Sequence, residues 1–189
     1  MKKFDSTEIL KPTLTLFIIC LIVTFLLAFT NVFTKDAILN QELKSQESSQ
    51  RIVLPGAVSF LESEQDGIKF YTGFDKNNKK IGYVFSNEDK GYGGTINVMT
   101  GISVEGQIQG ISILSHNETP GLGANITSDK FTEQFKVNAP KNGFSITKGE
   151  SNKNSEISAI TGATISSTAV TNAVNKSIEQ FYNLIGKGI

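Results

Sequence analysis

The sequence predicts an α+β protein: an antiparallel β-sheet domain with flanking helices, preceded by one N-terminal transmembrane helix. Three observations carry this. Residues 12–34 contain no charged side chain, and about 20 apolar residues suffice to cross the hydrocarbon core of a bilayer. Residues 68–115 alternate β-branched and aromatic runs with short polar or glycine turns, the pattern of strands joined by tight connections. Towards the C-terminus Ala169, Val170, Ala173, Val174, Ser177, Ile178, Phe181 and Ile185 recur at helical spacing on one face.

In chain order, the apolar run comes first. Leu16 to Ile19, Leu21 to Val23 and Phe25 to Phe29 form most of it. A cleavable signal peptide has an apolar region of roughly 7 to 15 residues and a small-x-small cleavage site. This run is longer, and no such site follows Ala28. A lipoprotein anchor at Cys20 would need a small residue before the cysteine, where Ile19 stands. Lys2, Lys3 and Lys11 precede the run, whereas Lys35, Lys44 and Arg51 are spread out after it. The positive-inside rule then sets the N-terminus in the cytoplasm and the C-terminal domain outside. The expected organisation is a membrane anchor at 1–34, a juxtamembrane helix and Ser/Gln linker at 35–52, and an extracytoplasmic domain at 53–189.

Four strands are expected in that domain: Ile68–Phe74, Ile81–Phe85, Thr95–Ser103 and Gln107–Ser115. Their short connections demand antiparallel pairing, because parallel pairs need long crossovers. Gly91-Tyr92-Gly93-Gly94 reads as a flexible loop between the second and third. Ser128 is placed to cap a short helix over Asp129–Lys136, with Phe131 and Phe135 on one face. Asn138–Asn154 reads as loop, apart from a short strand at Phe144–Thr147. A further strand, Ile157–Ile160, leads into a turn at Thr161-Gly162-Ala163-Thr164.

Composition excludes several functions. Lys+Arg and Asp+Glu are both 18, so the chain lacks the basic stripe of a nucleic-acid binder. One cysteine allows no disulfide within the chain, and one histidine allows no histidine-rich zinc site. No Gly-x-Gly-x-x-Gly opens a helix after a strand, which disfavours a dinucleotide fold. A hydrolase with a Ser or Thr nucleophile needs a base, and His116 is the single imidazole. No Gly-x-Ser-x-Gly elbow is present either.

Two stretches carry chemistry. Thr161-Gly162-Ala163-Thr164 is followed by Ser166, Ser167 and Thr168, immediately before the amphipathic segment. Hydroxyls at a helix start are ordinary caps; with the free amides of the first turn they also make a phosphate site. Both readings stand on these residues alone. His116-Asn117-Glu118-Thr119-Pro120-Gly121-Leu122-Gly123 bends and restricts the backbone. It is either a plain loop or a way to bring bare amides against a flat ligand.

Taken with Gly91-Tyr92-Gly93-Gly94 and Phe131-x-x-Gln134-Phe135, these motifs resemble the FMN-binding domain family. That family is shared by RnfG of the Rnf complex and NqrC of the sodium-pumping NADH:quinone oxidoreductase. The compact length is more similar to RnfG. The resemblance implies covalent FMN, attached through its phosphate to Thr164 by a separate flavin transferase that uses FAD and Mg²⁺. It implies cofactor contacts from Thr161, Gly162, Ala163 and Ser166, and from Glu118, Thr119, Pro120, Gly121, Leu122 and Gly123 against the isoalloxazine ring. It also implies partners: other subunits of a membrane electron-transport complex, the transferase and the lipid bilayer. The implied function is electron relay in an Rnf-type complex coupling ferredoxin:NAD oxidoreduction to Na⁺ or H⁺ translocation. An NqrC-like protein and a cofactor-free membrane-anchored binding module are the alternatives. One difference is that the family often has Asp a few residues before the Thr motif, where this chain has Ser158.

Overall fold

The computed structural model describes residues 6–149 and 153–186, with side chains given for these except at 6–9, 32, 36–40, 42 and 43. Lys2 and Lys3, on which the orientation reading rests, lie outside the described residues, as do residues 150–152 of the expected 138–154 loop. The chain divides into two compact units, Met1–Lys44 and Ser45–Ile189.

The first unit is helical, forming most of α1, Ser6–Val53. Its segment Leu10–Lys35 is long and apolar enough to cross a membrane, and its apolar stretch is not buried against the rest of the chain. Hydroxyls along it are satisfied without water. Thr24 Oγ1 donates to the Cys20 carbonyl at 2.7 Å, and Thr15, Thr30 and Thr34 bond back one turn in the same way. A polar side chain in hydrocarbon needs such an internal acceptor.

The second unit is built on a five-stranded antiparallel meander, β1 (Ser59–Gln65), β2 (Ile68–Phe74), β3 (Lys80–Lys90), β4 (Thr95–Ser103) and β5 (Ile108–Ser115), paired in that order. The four expected strands are present, and β1 is an addition. Its Ser, Glu and Gln content hid it, because β propensity is low there. It pairs with β2 along its whole length, from Ser59 opposite Phe74 to Gln65 opposite Ile68. A two-residue turn closes the hairpin, with Asp66 and Gly67 at φ 53° and 76°. Asp-Gly with both φ positive is a strong hairpin signal, and it marks β1 where strand propensity does not. β3 runs five residues past Phe85, because its polar end finds polar partners on the C-terminal helix.

That helix, α3 (Thr164–Gly186), crosses one face of the sheet. Ala169, Val170, Ala173, Val174, Ile178 and Phe181 bury against Phe70, Tyr83, Phe85, Val98, Ile102 and Ile108. Each large side chain so buried contributes about 1.5–3 kcal/mol. Leu184, not Ile185, completes the stripe; Ile185 stays 40% exposed. Asn87 bonds Ser177 and Gln180 of the helix, and Asp89 bonds Asn172 and Lys176.

The opposite face receives the end of α1. Residues 45–50, expected as linker, are helical, and Ser49 and Gln50 are buried. Two directly paired sets of glycines, Gly73 with Gly82 and Gly101 with Gly110, make this possible. A Cβ on Gly101 would overlap the Val53 carbonyl, and one on Gly73 or Gly82 would run into the Leu54 side chain. Bare backbone on the sheet thus lets the helix end lie flush, burying Val53 and Leu54 with Val84 and Met99.

Beyond β5, a 3₁₀ turn at Gly123–Thr127 precedes α2 (Asp129–Thr132) and a second 3₁₀ turn at Glu133–Phe135. The expected single helix is therefore split. Ser128 does not cap it with its side chain; its hydroxyl donates backwards to the Asn125 carbonyl at 2.7 Å. Phe131 and Phe135 are buried as expected, and Phe135 meets Phe144 edge-on at 5.3 Å. Two three-residue strands, β6 (Ser145–Thr147) and β7 (Glu156–Ser158), pair in parallel. The lead-in strand therefore ends at Ser158, two residues before Ile160.

Candidate functional site

The turn before α3 is built from its own backbone. Ala163 N–H donates to the Ile160 carbonyl at 2.9 Å, with Gly162 at φ 78°, which is the type II position that glycine fills without strain. Ser167 locks it: its Oγ accepts from Ile160 N–H at 3.0 Å and donates to the Ala163 carbonyl at 2.9 Å. Ser167 N–H is the first amide to bond back, to Ala163 O. The amides of Thr164, Ile165 and Ser166 ahead of it thus have no helical acceptor. Upstream, Gln134 brackets Ser158, accepting its N–H at 2.8 Å and donating to its carbonyl at 3.4 Å. The Ser158 hydroxyl itself donates to the Gly149 carbonyl.

The other half of the site is the loop after β5. Leu122 N–H bonds the Thr119 carbonyl at 3.2 Å, so Pro120 and Gly121 (φ 77°) occupy the two corners of a turn. Glu118 is buried. Its Oε1 accepts from Gly93 N–H at 2.9 Å and its Oε2 from the Ser166 hydroxyl at 2.5 Å. One carboxylate therefore ties three segments together: the glycine loop between β3 and β4, its own loop, and the first turn of α3. The glycine loop is thus held rather than flexible, and Gly91 N–H bonds Gly94 O across it at 2.8 Å. His116 serves the same fold, its Nδ1 accepting from Glu118 N–H at 3.2 Å.

Between these segments lies a cavity of about 570 Å³, lined by Tyr92, Glu118, Thr119, Leu122, Gly123 and residues 162–166. Of the predicted site residues, Gly162, Ala163, Thr164, Ser166, Glu118, Thr119, Leu122 and Gly123 meet here. Thr161, Pro120 and Gly121 do not line the cavity; they shape the two turns that border it. Tyr92 and Ile165 line it without having been predicted. Both stand beside recognised motifs, and their exposure, 74% and 54%, is what the sequence did not show. A larger groove of about 660 Å³ runs along α3, but much of its polar wall is already paired. Asn175 holds both N–H and carbonyl of Phe144, and Asn172 and Lys176 hold Asp89.

The hydroxyls separate cleanly. Ser166 is committed to Glu118, Ser167 to the turn, and Thr168 to the Thr164 carbonyl at 2.8 Å. Among the described residues the Thr164 hydroxyl has no hydrogen-bond partner, and Thr164 lines the cavity beside the unpaired amides. A phosphate suits that position, since amides and the helix dipole favour an anion. Tyr92, Leu122 and Ile165 supply exposed apolar walls in the same cavity. Phosphate donors beside apolar walls, in a space within the usual range for small ligands, fit a flavin mononucleotide.

Comparison with known proteins agrees. The FMN-binding domain family model matches residues 91–179, and the RnfG N-terminal region model matches residues 1–49. The chain is 36% identical to the G component of the proton-translocating ferredoxin:NAD(+) oxidoreductase complex of Clostridium ljungdahlii, over 98% of each chain. It is 35% identical to the Na(+)-translocating counterpart of Acetobacterium woodii, over 96% of each. The fold is shared with NqrC of Shewanella oneidensis (TM-score 0.54, 18% identity, 70% of this chain and 73% of that one). It is shared also with the corresponding C component of the Na(+)-translocating NADH-quinone reductase of Parabacteroides distasonis (TM-score 0.56, 16% identity, 76% and 93%). With such identity over nearly the full length of its relatives, the chain belongs to the RnfG family of ion-translocating oxidoreductase complexes.

Proposed function

We propose that this chain is a membrane-anchored covalent flavoprotein that relays electrons as one subunit of an Rnf-type complex, which couples ferredoxin:NAD oxidoreduction to Na⁺ or H⁺ translocation. Residues 12–34 cross the bilayer once, with the N-terminus cytoplasmic, residues 35–52 as the juxtamembrane segment, and residues 53–189 as the extracytoplasmic domain. The names of its relatives support the complex and its other subunits as partners. The observation that carries the cofactor reading is the Thr164 hydroxyl, which has no partner among the described residues, on a residue that lines the cavity at the open first turn of α3.

Bound FMN supplies the redox chemistry; the protein's part is to hold and surround it. Thr164 takes the phosphate covalently. One Oγ1–P bond forms as the pyrophosphate bond of FAD breaks, releasing AMP and the hydroxyl proton, on a flavin transferase that acts outside the cytoplasm. The amides of Thr164, Ile165 and Ser166 stabilise the phosphate charge. Gly162 and Ala163 leave the threonine accessible to the transferase. Tyr92, Leu122 and Ile165 shield the ring from water.

Co-expression with the transferase tests this. The denatured chain should remain fluorescent on a gel, its intact mass raised by FMN less one water, and Thr164→Ala should abolish both. A colourless wild-type chain, or a Thr164→Ala variant that keeps its flavin, rejects the reading. Orientation is tested separately: with Cys20 replaced by Ala, a Ser48→Cys variant should react with an impermeant thiol reagent added outside the cell. Labelling from the cytoplasmic side alone reverses it.

A further inference from the structure

Tyr92 is 74% exposed at the cavity, and among the described residues no ring contact or hydrogen bond engages it. Its loop is nonetheless rigidly specified. A Cβ on Gly93 would overlap the Asn117 carbonyl, and one on Gly91 would strike Glu118 Oε1 and Ile96. The loop therefore lies close against the Glu118 segment, held by Gly93 N–H to Glu118 Oε1 at 2.9 Å and by Gly91 N–H to Gly94 O at 2.8 Å. Ordering three glycines around one residue costs backbone entropy. The product is a single aromatic ring standing in solvent beside Leu122 and Ile165, both half exposed in the same cavity. Glu118, by contrast, has both carboxylate oxygens occupied, by Gly93 and by Ser166.

We propose that Tyr92 is the stacking wall for the flavin ring, and that Glu118 is a positioning residue which holds Tyr92 in place through Gly93. This rests on the FMN reading above. A flat conjugated ring gains affinity from an aromatic partner beyond the area it buries. A tyrosine at contact also quenches flavin fluorescence by donating an electron to the excited ring.

The test uses the full-length chain, flavinylated by co-expression and purified in detergent, as wild type, Tyr92→Leu, Tyr92→Phe, Glu118→Ala, Glu118→Gln and the Tyr92→Leu/Glu118→Ala pair. Intact mass checks attachment in each. Tyr92→Leu should keep the adduct and its melting temperature, since the ring is largely exposed. Its native flavin fluorescence should rise several-fold and its visible circular dichroism should weaken. Tyr92→Phe should keep the dichroism. Glu118→Ala, which removes the acceptor of Gly93 N–H, should move fluorescence in the same direction as Tyr92→Leu and add little in the double variant, because it acts through the tyrosine. Glu118→Gln, whose amide oxygen still accepts from Gly93, should stay near wild type. Unchanged fluorescence and dichroism in an adduct-bearing Tyr92→Leu chain overturn the stacking proposal and leave the covalent reading standing. A Glu118→Ala effect that adds fully to Tyr92→Leu, or a Glu118→Gln effect as large as that of Glu118→Ala, overturns the positioning role. A wild-type chain without adduct removes both proposals together.

Discussion

Ser166 Oγ donates to Glu118 Oε2 at 2.5 Å, with both residues buried and 48 positions apart in the chain. This bond is where the loop after β5 meets the first turn of α3, so it sets the width of the cavity between them. Ser166→Ala leaves a buried carboxylate oxygen without its donor, at a cost of about 1–3 kcal/mol. Thermal unfolding of the full chain in detergent should show the loss, and an unchanged melting temperature would mean that water replaces the hydroxyl.

Thr100 makes the opposite case. It is fully buried between Phe85 and Ile111 in the sheet register, and its hydroxyl has no hydrogen-bond partner among the described residues. Thr100→Val removes an unsatisfied group at nearly constant shape, and stability should rise by about 1 kcal/mol. Chemical denaturation of both proteins measures it; a destabilised variant would contradict the orphan assignment.

Leu54 fills the space above Gly73 and Gly82 and is 1% exposed. Leu54→Ala should destabilise the sheet domain by about 2–5 kcal/mol, the range for a leucine removed from a packed site. Truncation of the chain to residue 55 onward should do at least as much harm. A truncated domain as stable as the full chain would show that the end of α1 is dispensable.

Asp89 links β3 to α3. Burial acts to raise its carboxyl, but hydrogen bonds from Asn172 and Lys176 and the charge of Lys176 outweigh it and hold it below the usual range. A depressed folded-state value stabilises above the unfolded pKa of about 3.9 and is lost as pH falls through the folded one. The stability gap between wild type and Asp89→Asn should therefore be widest above that value and close in acid. The pair is partly exposed, so added salt should narrow the gap as well. Denaturation series at several pH values check the sign.

Much of this architecture is local, and so is legible in the chain itself. Hydropathy marks residues 12–34, period-two runs mark β2 to β5, helical spacing marks α3, and the Thr-Gly-Ala-Thr turn and Glu118 to Gly123 loop mark the site. What escapes a sequence reading depends on partners distant in the chain. β1 is too polar to announce itself and is held by pairing with β2. Residues 45–50 continue a helix whose end, Ile52 and Val53 with Leu54 just beyond, lies flush on four glycines of the sheet. Ser158 hides a bond to Gly149 behind an apparent substitution. Contacts made in the folded chain separate the hydroxyls after the turn: Ser166 goes to Glu118 and Ser167 to the Ile160–Ala163 turn, which leaves the Thr164 hydroxyl in the cavity without a partner among the described residues. Local pattern specifies a helix start rich in hydroxyls; which hydroxyl is free depends on what the rest of the fold brings against each of them.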